Sequence, residues 1–310
     1  MINLVIRKAQ YAGSWYKGKE ENLRMELEEL FLNNEFGPGK LPLCQNQKQR
    51  TIIGGISSHA GFTYSGCSAA HTFFNLFKEK IPDTIIILGN HHHPYSKVGI
   101  MKDGAWETPL GNLTIDSELA KTLLDNSNII NDDAVSFMKF KEQNIEIQLP
   151  FIKYCAGDKD VKIVPVKITR HIKLEKIEEL CEDIAKTINT SEKDIIIVAS
   201  SDMSHYNIDT KEQLETLKEI DQAVIDQILN FNFEYVLNPE KFIDASLFNK
   251  FRLGEREASI CGRQTISAAL LICKKLNAIK SELLKYYTSK DISPSGHPWT
   301  VGYFSGIFRK

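Results

Sequence analysis

Long apolar runs are missing from this 310-residue chain. None approaches the ~20 residues needed to span a bilayer. The first eight residues, MINLVIRK, lack the apolar core and small-residue cleavage site of a secretory signal, so no signal peptide is expected. Excess charge is missing as well. The formal net charge is −2 at pH 7, which offers no electrostatic footprint for nucleic acid or an anionic membrane. A cytoplasmic protein is the expectation. Clustered cysteine is the third absence. Cys44, Cys67, Cys155, Cys181, Cys261 and Cys273 show no CxxC spacing, which argues against a zinc ribbon or a disulfide framework. In a reducing compartment most of them would serve as small buried hydrophobes. Internal repeats, low-complexity tracts and composition breaks are absent too. One α/β domain over residues 1–310 is therefore the simplest reading.

What the chain does have is a set of apolar, β-branched stretches that run into polar loops. Ile85-Ile86-Ile87-Leu88, bounded by Pro82 and Gly89, reads as a strand buried on both faces, and His91-His92-His93 follow it. Residues 51–58 form a second such strand. It ends at His59, with Gly61 and Gly66 beyond, where a backbone can approach a ligand closely. Residues 194–199 form a third, ending at Asp202 and His205. A helix with Ala69, Ala70, Phe73, Phe74 and Phe77 on its apolar side joins the strand at 51–58 to that at 84–88, a βαβ unit with a parallel pair. Further helices are expected over 20–34, 174–189 and 211–230, after Asp116 as N-cap, and from Arg263. Further strands are expected over 161–168 and 299–308, with a polar loop at 289–298. The fold class is α/β, a sandwich with a central mostly parallel or mixed sheet flanked by helices.

If the three strands run parallel, their polar ends converge on one rim of the sheet, where open α/β sheets bind ligands. Imidazole is the commonest metal ligand. Adjacent side chains diverge, so the three consecutive histidines supply one ligand and at most one further inward group. Asp202 and His205 read either as a helix cap or as a carboxylate–imidazole pair for acid–base chemistry. Cys261 stands just before a helix, where the dipole and free N–H groups favour the thiolate that binds metals or attacks carbon. Cys67, Cys155, Cys181 and Cys273 read as buried packing.

Several blocks, taken in order, resemble the Memo family. They are Ala12-Gly13-Ser14-Trp15-Tyr16, the stretch from His59 to Gly66, Leu88-Gly89-Asn90-His91-His92, Thr108-Pro109-Leu110-Gly111, the stretch from Glu142 to Pro150, Ser200-Ser201-Asp202-Met203-Ser204-His205 and Cys261-Gly262-Arg263. They span essentially the whole chain. The resemblance implies the LigB-like fold of the class III extradiol dioxygenases. It implies a mononuclear metal held by His59, His92 and Cys261, with Fe(II) the first choice and Cu or Zn the others. It implies that Asp202 and His205 line the same pocket, His205 in the acid–base position. Trp15, Tyr64, His91, Glu142, Arg263 and Tyr287 are expected to line it too. The chain departs from the family pattern at Gln143, where histidine is usual, and at His91, where Ser or Asn is usual and which would compete with His92 as ligand. Tyr287 is the best match to a tyrosine-bearing segment near the family's C-terminus.

Two imidazoles and one anionic ligand follow the facial-triad logic of non-haem iron oxygenases. A thiolate in place of the carboxylate softens the site toward Fe(II), Zn(II) or Cu(I), and is itself oxidisable. Three functions stay open: a dioxygenase-like oxidoreductase acting on a small molecule; a non-enzymatic metal- or peptide-binding protein, with Arg263 meeting an anionic ligand; and a zinc hydrolase. For microbial members the resemblance implies a radical-SAM partner protein, as in the AmmeMemoRadiSam system. For animal members it implies phosphotyrosine-peptide binding.

Overall fold

A computed structural model describes residues 5–90, 98–251, 260–295 and 297–310. The chain opens with β1 (Ile6–Arg7) and α1 (Glu20–Leu32), in which Leu23, Leu27 and Phe31 recur at helical spacing and are buried. β2 (Ile52–Ser57), α2 (Phe62–Lys78) and β3 (Thr84–Asn90) form the expected strand–helix–strand unit. Shorter pieces follow: β4 (Val98–Ile100), β5 (Ala105–Trp106), β6 (Leu113–Thr114), α3 (Ser117–Asn126), β7 (Ile130–Asp132), α4 (Ala134–Lys139), α5 (Gln143–Glu146) and α6 (Leu149–Ala156). β8 (Lys162–Ile168), α7 (Leu174–Thr190) and β9 (Ile195–Ser200) restore the longer alternation. β10 (His205–Asn207), α8 (Lys211–Leu229), α9 (Phe233–Leu237), α10 (Ala245–Phe248) and α11 (Arg263–Lys275) lead to β11 (Lys280–Thr288), α12 (Ser289–Ile292) and β12 (Trp299–Arg309).

Local chemistry sets several boundaries. Asp116 caps α3, its carboxylate accepting from the Leu119 N–H at 3.1 Å, as its position before the helix predicts. Thr210 and Gln213 form a reciprocal capping box at the start of α8. Part of the polar loop expected at 289–298 is instead the single helical turn α12. Thr288 and Asp291 cap it by the same reciprocal bonding, at a spacing the loop composition obscured.

The main sheet runs β10-β12-β2-β9-β3-β8-β4-β7, with β11 on the free side of β12. β2, β9, β3 and β8 are mutually parallel, so the three strands with polar ends do share one direction. β12 is antiparallel to both β2 and β11, which makes the sheet mixed. Ile85 to Leu88 have no exposed surface, each burial stabilising by roughly 2 kcal/mol. Helices cover both faces. A Cβ on Gly54 would lie 2.8 Å from Cys273 Sγ of α11, and one on Gly55 would lie 3.0 Å from Thr72 Cγ2 of α2. Consecutive residues face opposite sides of a strand, so the glycines let α11 and α2 press close from either side. Cys273 thus packs as a small hydrophobe. Among the described residues no helix is long and apolar enough to cross a membrane.

β12 also explains the rim. Its C-terminal half pairs with β2, while Trp299 to Val301 pair with β10. The Met203 N–H donates to Gly302 O and the Gly302 N–H to Ser204 O. The loop after β9 is therefore laid directly across the point where His59 leaves β2.

Candidate metal centre and the adjoining cleft

The structure brings His59, Asp202 and Cys261 into contact. Ser201 N–H donates to Ser57 O, which extends the β2–β9 ladder past its last paired residues. That register puts Asp202 beside His59, whose backbone N–H donates to Asp202 Oδ1 at 2.8 Å. Cys261 arrives from the start of α11 and is pinned by its own backbone: its N–H reaches Asp202 O, and the Asn90 amide donates to its carbonyl. Cys261 Sγ then lies 3.1 Å from His59 Nε2 and accepts from the Asp202 N–H at 3.3 Å. Asp202 Oδ2 is 4.0 Å from His59 Nε2.

Burial dominates the electrostatics here. It pulls the His59 imidazole down to about 4, so the ring is neutral near pH 7. It pushes Asp202 up to about 6, against the nearby His205 and the N–H groups of His59 and Ala60. It also pushes the Cys261 thiol up to about 12, with the Asp202 charge adding to the effect. This reverses the expectation that the start of α11 favours the thiolate. The Gly262 N–H is already taken by Ser201 Oγ at 2.9 Å, and desolvation outweighs what the helix end offers.

His205 lies on β10, opposite Val301 of β12. Its Nδ1 donates to Met203 O at 2.8 Å, so a carbonyl orients the ring and Asp202 acts on it through charge. The capping alternative for Asp202 and His205 does not hold, because Thr210 caps the next helix. Glu142 is buried as the N-cap of α5 and pairs with Lys167 at 3.1 Å. Arg263 pairs with Glu240. Tyr287 is buried beneath the first turns of α2, where its hydroxyl donates to Tyr64 O at 2.8 Å and accepts from the Ser68 N–H at 3.1 Å. Tyr11 Oη approaches Gln143 Oε1 at 3.5 Å, and its ring meets Trp15 edge-on at 4.9 Å. His91 and His92 lie outside the described residues; Asn90 is the residue described just before them.

A cleft of about 430 Å³ opens at the two residues after His59; His59 itself, Asp202, His205 and Cys261 are not among the described residues that line it. Ala60 and Gly61 form part of its wall, with the rings of Trp15, Tyr64, Trp299 and Tyr303. The His205 ring lies 6.2 Å from that of Trp299. No Lys, Arg, Asp or Glu is among the described residues lining the cleft. Sequence reasoning missed Trp299, Tyr303 and His297 as lining residues. It also missed Ser200 and Gln148, both fully buried: Ser200 Oγ is 2.9 Å from His59 Nδ1, and Gln148 Nε2 is 3.0 Å from Ser200 Oγ.

Which ions would this donor set suit? A neutral imidazole and a soft sulfur suit Fe(II), Zn(II) or Cu(I). On a tetrahedral ion the two donors stand roughly 3.5 Å apart, close to the 3.1 Å between Nε2 and Sγ. Buried Asn90 Oδ1, Asn144 Oδ1 and Gln148 Oε1 have no hydrogen-bond partner among the described residues. No cluster of three or more His, Cys, Asp or Glu ready to hold an ion is found among the described residues; the third ligand implied by the resemblance, His92, is not one of them.

Comparison with known proteins agrees with the blocks named above. The profile of a family described as "Memo-like protein" matches residues 7–307. A "MEMO1 family protein" from Sulfurisphaera tokodaii is 37% identical over 307 residues, covering 98% of this chain and 99% of the relative. Another from Desulfurococcus amylolyticus is 37% identical, covering 94% and 95%, and one from Methanopyrus kandleri is 34% identical, covering 98% and 99%. Among solved structures, an uncharacterized protein from Escherichia coli K12 is similar at a TM-score of 0.49 with 11% identity, covering 83% of this chain and 99% of that one.

Proposed function

The chain belongs to the Memo family, and on that footing we propose that it is a metal-dependent oxidoreductase whose ion is held by His59, His92 and Cys261. Fe(II) is the first choice, with Cu or Zn the alternatives. The observation that carries this reading is the 3.1 Å contact between Cys261 Sγ and a neutral His59 Nε2 just past the carboxyl ends of the parallel strands, where open α/β sheets bind ligands. When bound, such an ion would supply Lewis acidity, and iron or copper would add one-electron chemistry. The chain's own residues do the rest. Burial keeps the proton on Cys261 in the free protein, so metal uptake releases it. His205 holds its Nδ1–H on Met203 O, which leaves Nε2 as the nitrogen that takes or returns a substrate proton. The ring-lined cleft, with no Lys, Arg, Asp or Glu among the described residues of its wall, favours a neutral small molecule with an aromatic face. It lends nothing to an anionic phosphopeptide, and Arg263 is occupied by Glu240.

The test is metal analysis of protein purified without oxygen. Wild type is expected to carry about one iron per chain, and Cys261→Ser to lose it. Oxygen uptake with catechol-like candidates should follow the iron and vanish in His92→Ala. Metal-loaded protein that consumes no oxygen with any candidate would favour the alternative, a non-enzymatic metal-binding protein serving a radical-SAM partner. A chain that takes up no metal at all overturns both.

A further inference from the structure

We propose that Ser200 fixes the tautomer of His59 and so presents Cys261 with an unprotonated Nε2. The consequence for metal binding rests on the reading above, whereas the tautomer itself is a property of the metal-free chain. A serine hydroxyl has one proton to give and two lone pairs to receive. Ser200 Oγ lies 2.6 Å from Asn144 O. A carbonyl only accepts, so the serine proton goes there. Gln148 Nε2 stands 3.0 Å from the same oxygen and donates into one lone pair. That amide is itself oriented by Ser58 O at 3.1 Å. One lone pair remains for His59 Nδ1, at 2.9 Å. The ring must therefore bring the proton. A neutral imidazole has only one N–H, so Nε2 keeps its lone pair and aims it at Sγ. In the opposite arrangement the serine proton would point at Nδ1, leaving Oγ and Asn144 O facing each other at 2.6 Å with nothing between them. An anchored Nδ1–H with a free Nε2 is how proteins prepare a histidine to ligate a metal.

Ser200 thus becomes a positioning residue, a role that its place before Asp202 in the Ser-Ser-Asp motif does not reveal. The experiment is nitrogen-resolved NMR of histidine-labelled, metal-free protein near neutral pH. Protonated Nδ1 and bare Nε2 are expected for His59. In Ser200→Ala that preference should weaken, and Zn(II), used as a redox-silent probe, should bind roughly 10–100-fold more weakly. Ser200→Thr, which keeps the hydroxyl, should restore both. A wild-type ring protonated at Nε2 overturns the assignment, and that spectrum decides even if the alanine variant fails to fold. Unchanged tautomer and Zn(II) affinity in a folded Ser200→Ala overturn it equally. The expected tautomer in a wild type that binds no Zn(II) supports the Ser200 assignment and sinks only the metal reading.

Discussion

Two buried polar clusters meet at α5, and they are built on opposite plans. The first is fully paired. Arg7 and Glu146 lie 2.9 Å apart with about 1% of each side chain exposed. Arg7 also donates to Phe137 O at 2.9 Å and stacks over Trp106 at 4.2 Å. Glu146 accepts from the Tyr11 N–H at 2.7 Å and from Tyr16 Oη at 3.0 Å. Lys167 answers Glu142 at 3.1 Å and covers the Phe137 ring at 4.3 Å. In the second cluster, His59 with Asp202 and Cys261, burial outweighs the nearby charges, that of Arg170 included. Its members respond to burial by holding or refusing protons instead. Glu142 and Glu146 serve the paired cluster, while Asn144 and Gln148, from the same short stretch, serve the unpaired one. Compensated burial is what a scaffold requires. Uncompensated burial, with orphaned amide oxygens nearby, is what a binding site retains.

The largest expected effect comes from breaking the paired cluster. Arg7→Ala should cost about 3–5 kcal/mol in urea unfolding, because Glu146 is left buried without its cation. A loss under about 1 kcal/mol would mean that the two clusters do not differ as argued.

The next effect lies in the pH dependence of the unpaired cluster in metal-free protein. The folded His59 sits near 4, below its ordinary 6.5. Its stabilisation is therefore complete above 6.5 and is lost as pH falls toward 4. The folded Asp202 sits near 6, above its ordinary 3.8. Its contribution is complete below 3.8 and is lost as pH rises through 6. The two oppose each other across this window. Relative to wild type, Asp202→Asn should lose stability as pH drops from 6.5 to 4, and His59→Gln should lose it as pH rises from 4 to 6. Each change should be on the order of 2 kcal/mol by chemical denaturation at a series of pH values. Parallel profiles for both variants would remove the contrast.

The smallest effect provides the control. Arg24 and Glu20 form the same kind of pair at 3.0 Å, but at least half exposed on α1. Glu20→Ala should cost only about 0.3–0.5 kcal/mol, which shows that burial, not ion pairing as such, separates the clusters.

Much of the rim is visible in the sequence because hydrophobic runs betray buried strands. Thr84 to Leu88 and Ile195 to Ala199 are apolar or β-branched and end where polar residues begin, so the strand ends carrying chemistry could be named in advance. Ser200, Asn144 and Gln148 gave no such signal. They are common polar residues whose meaning depends on one hydroxyl meeting three partners from different elements. Only the polar-apolar alternation from Asn144 to Gln148 hints that these side chains turn inward. Arg7 and Glu146 lie too far apart in sequence for their pairing to be read.

His59, Asp202 and Cys261 were legible as residues with chemistry, because strand and helix ends are local properties of composition. Their contact, the neutral state of His59 and the protonated state of Cys261 were decided by tertiary structure. Cys261 makes the point most clearly. A helix start favours thiolate when water surrounds it, and sequence reasoning assumed as much. Packing α11 against β9 removes that water, and the cost of burying a charge then exceeds what the helix end returns.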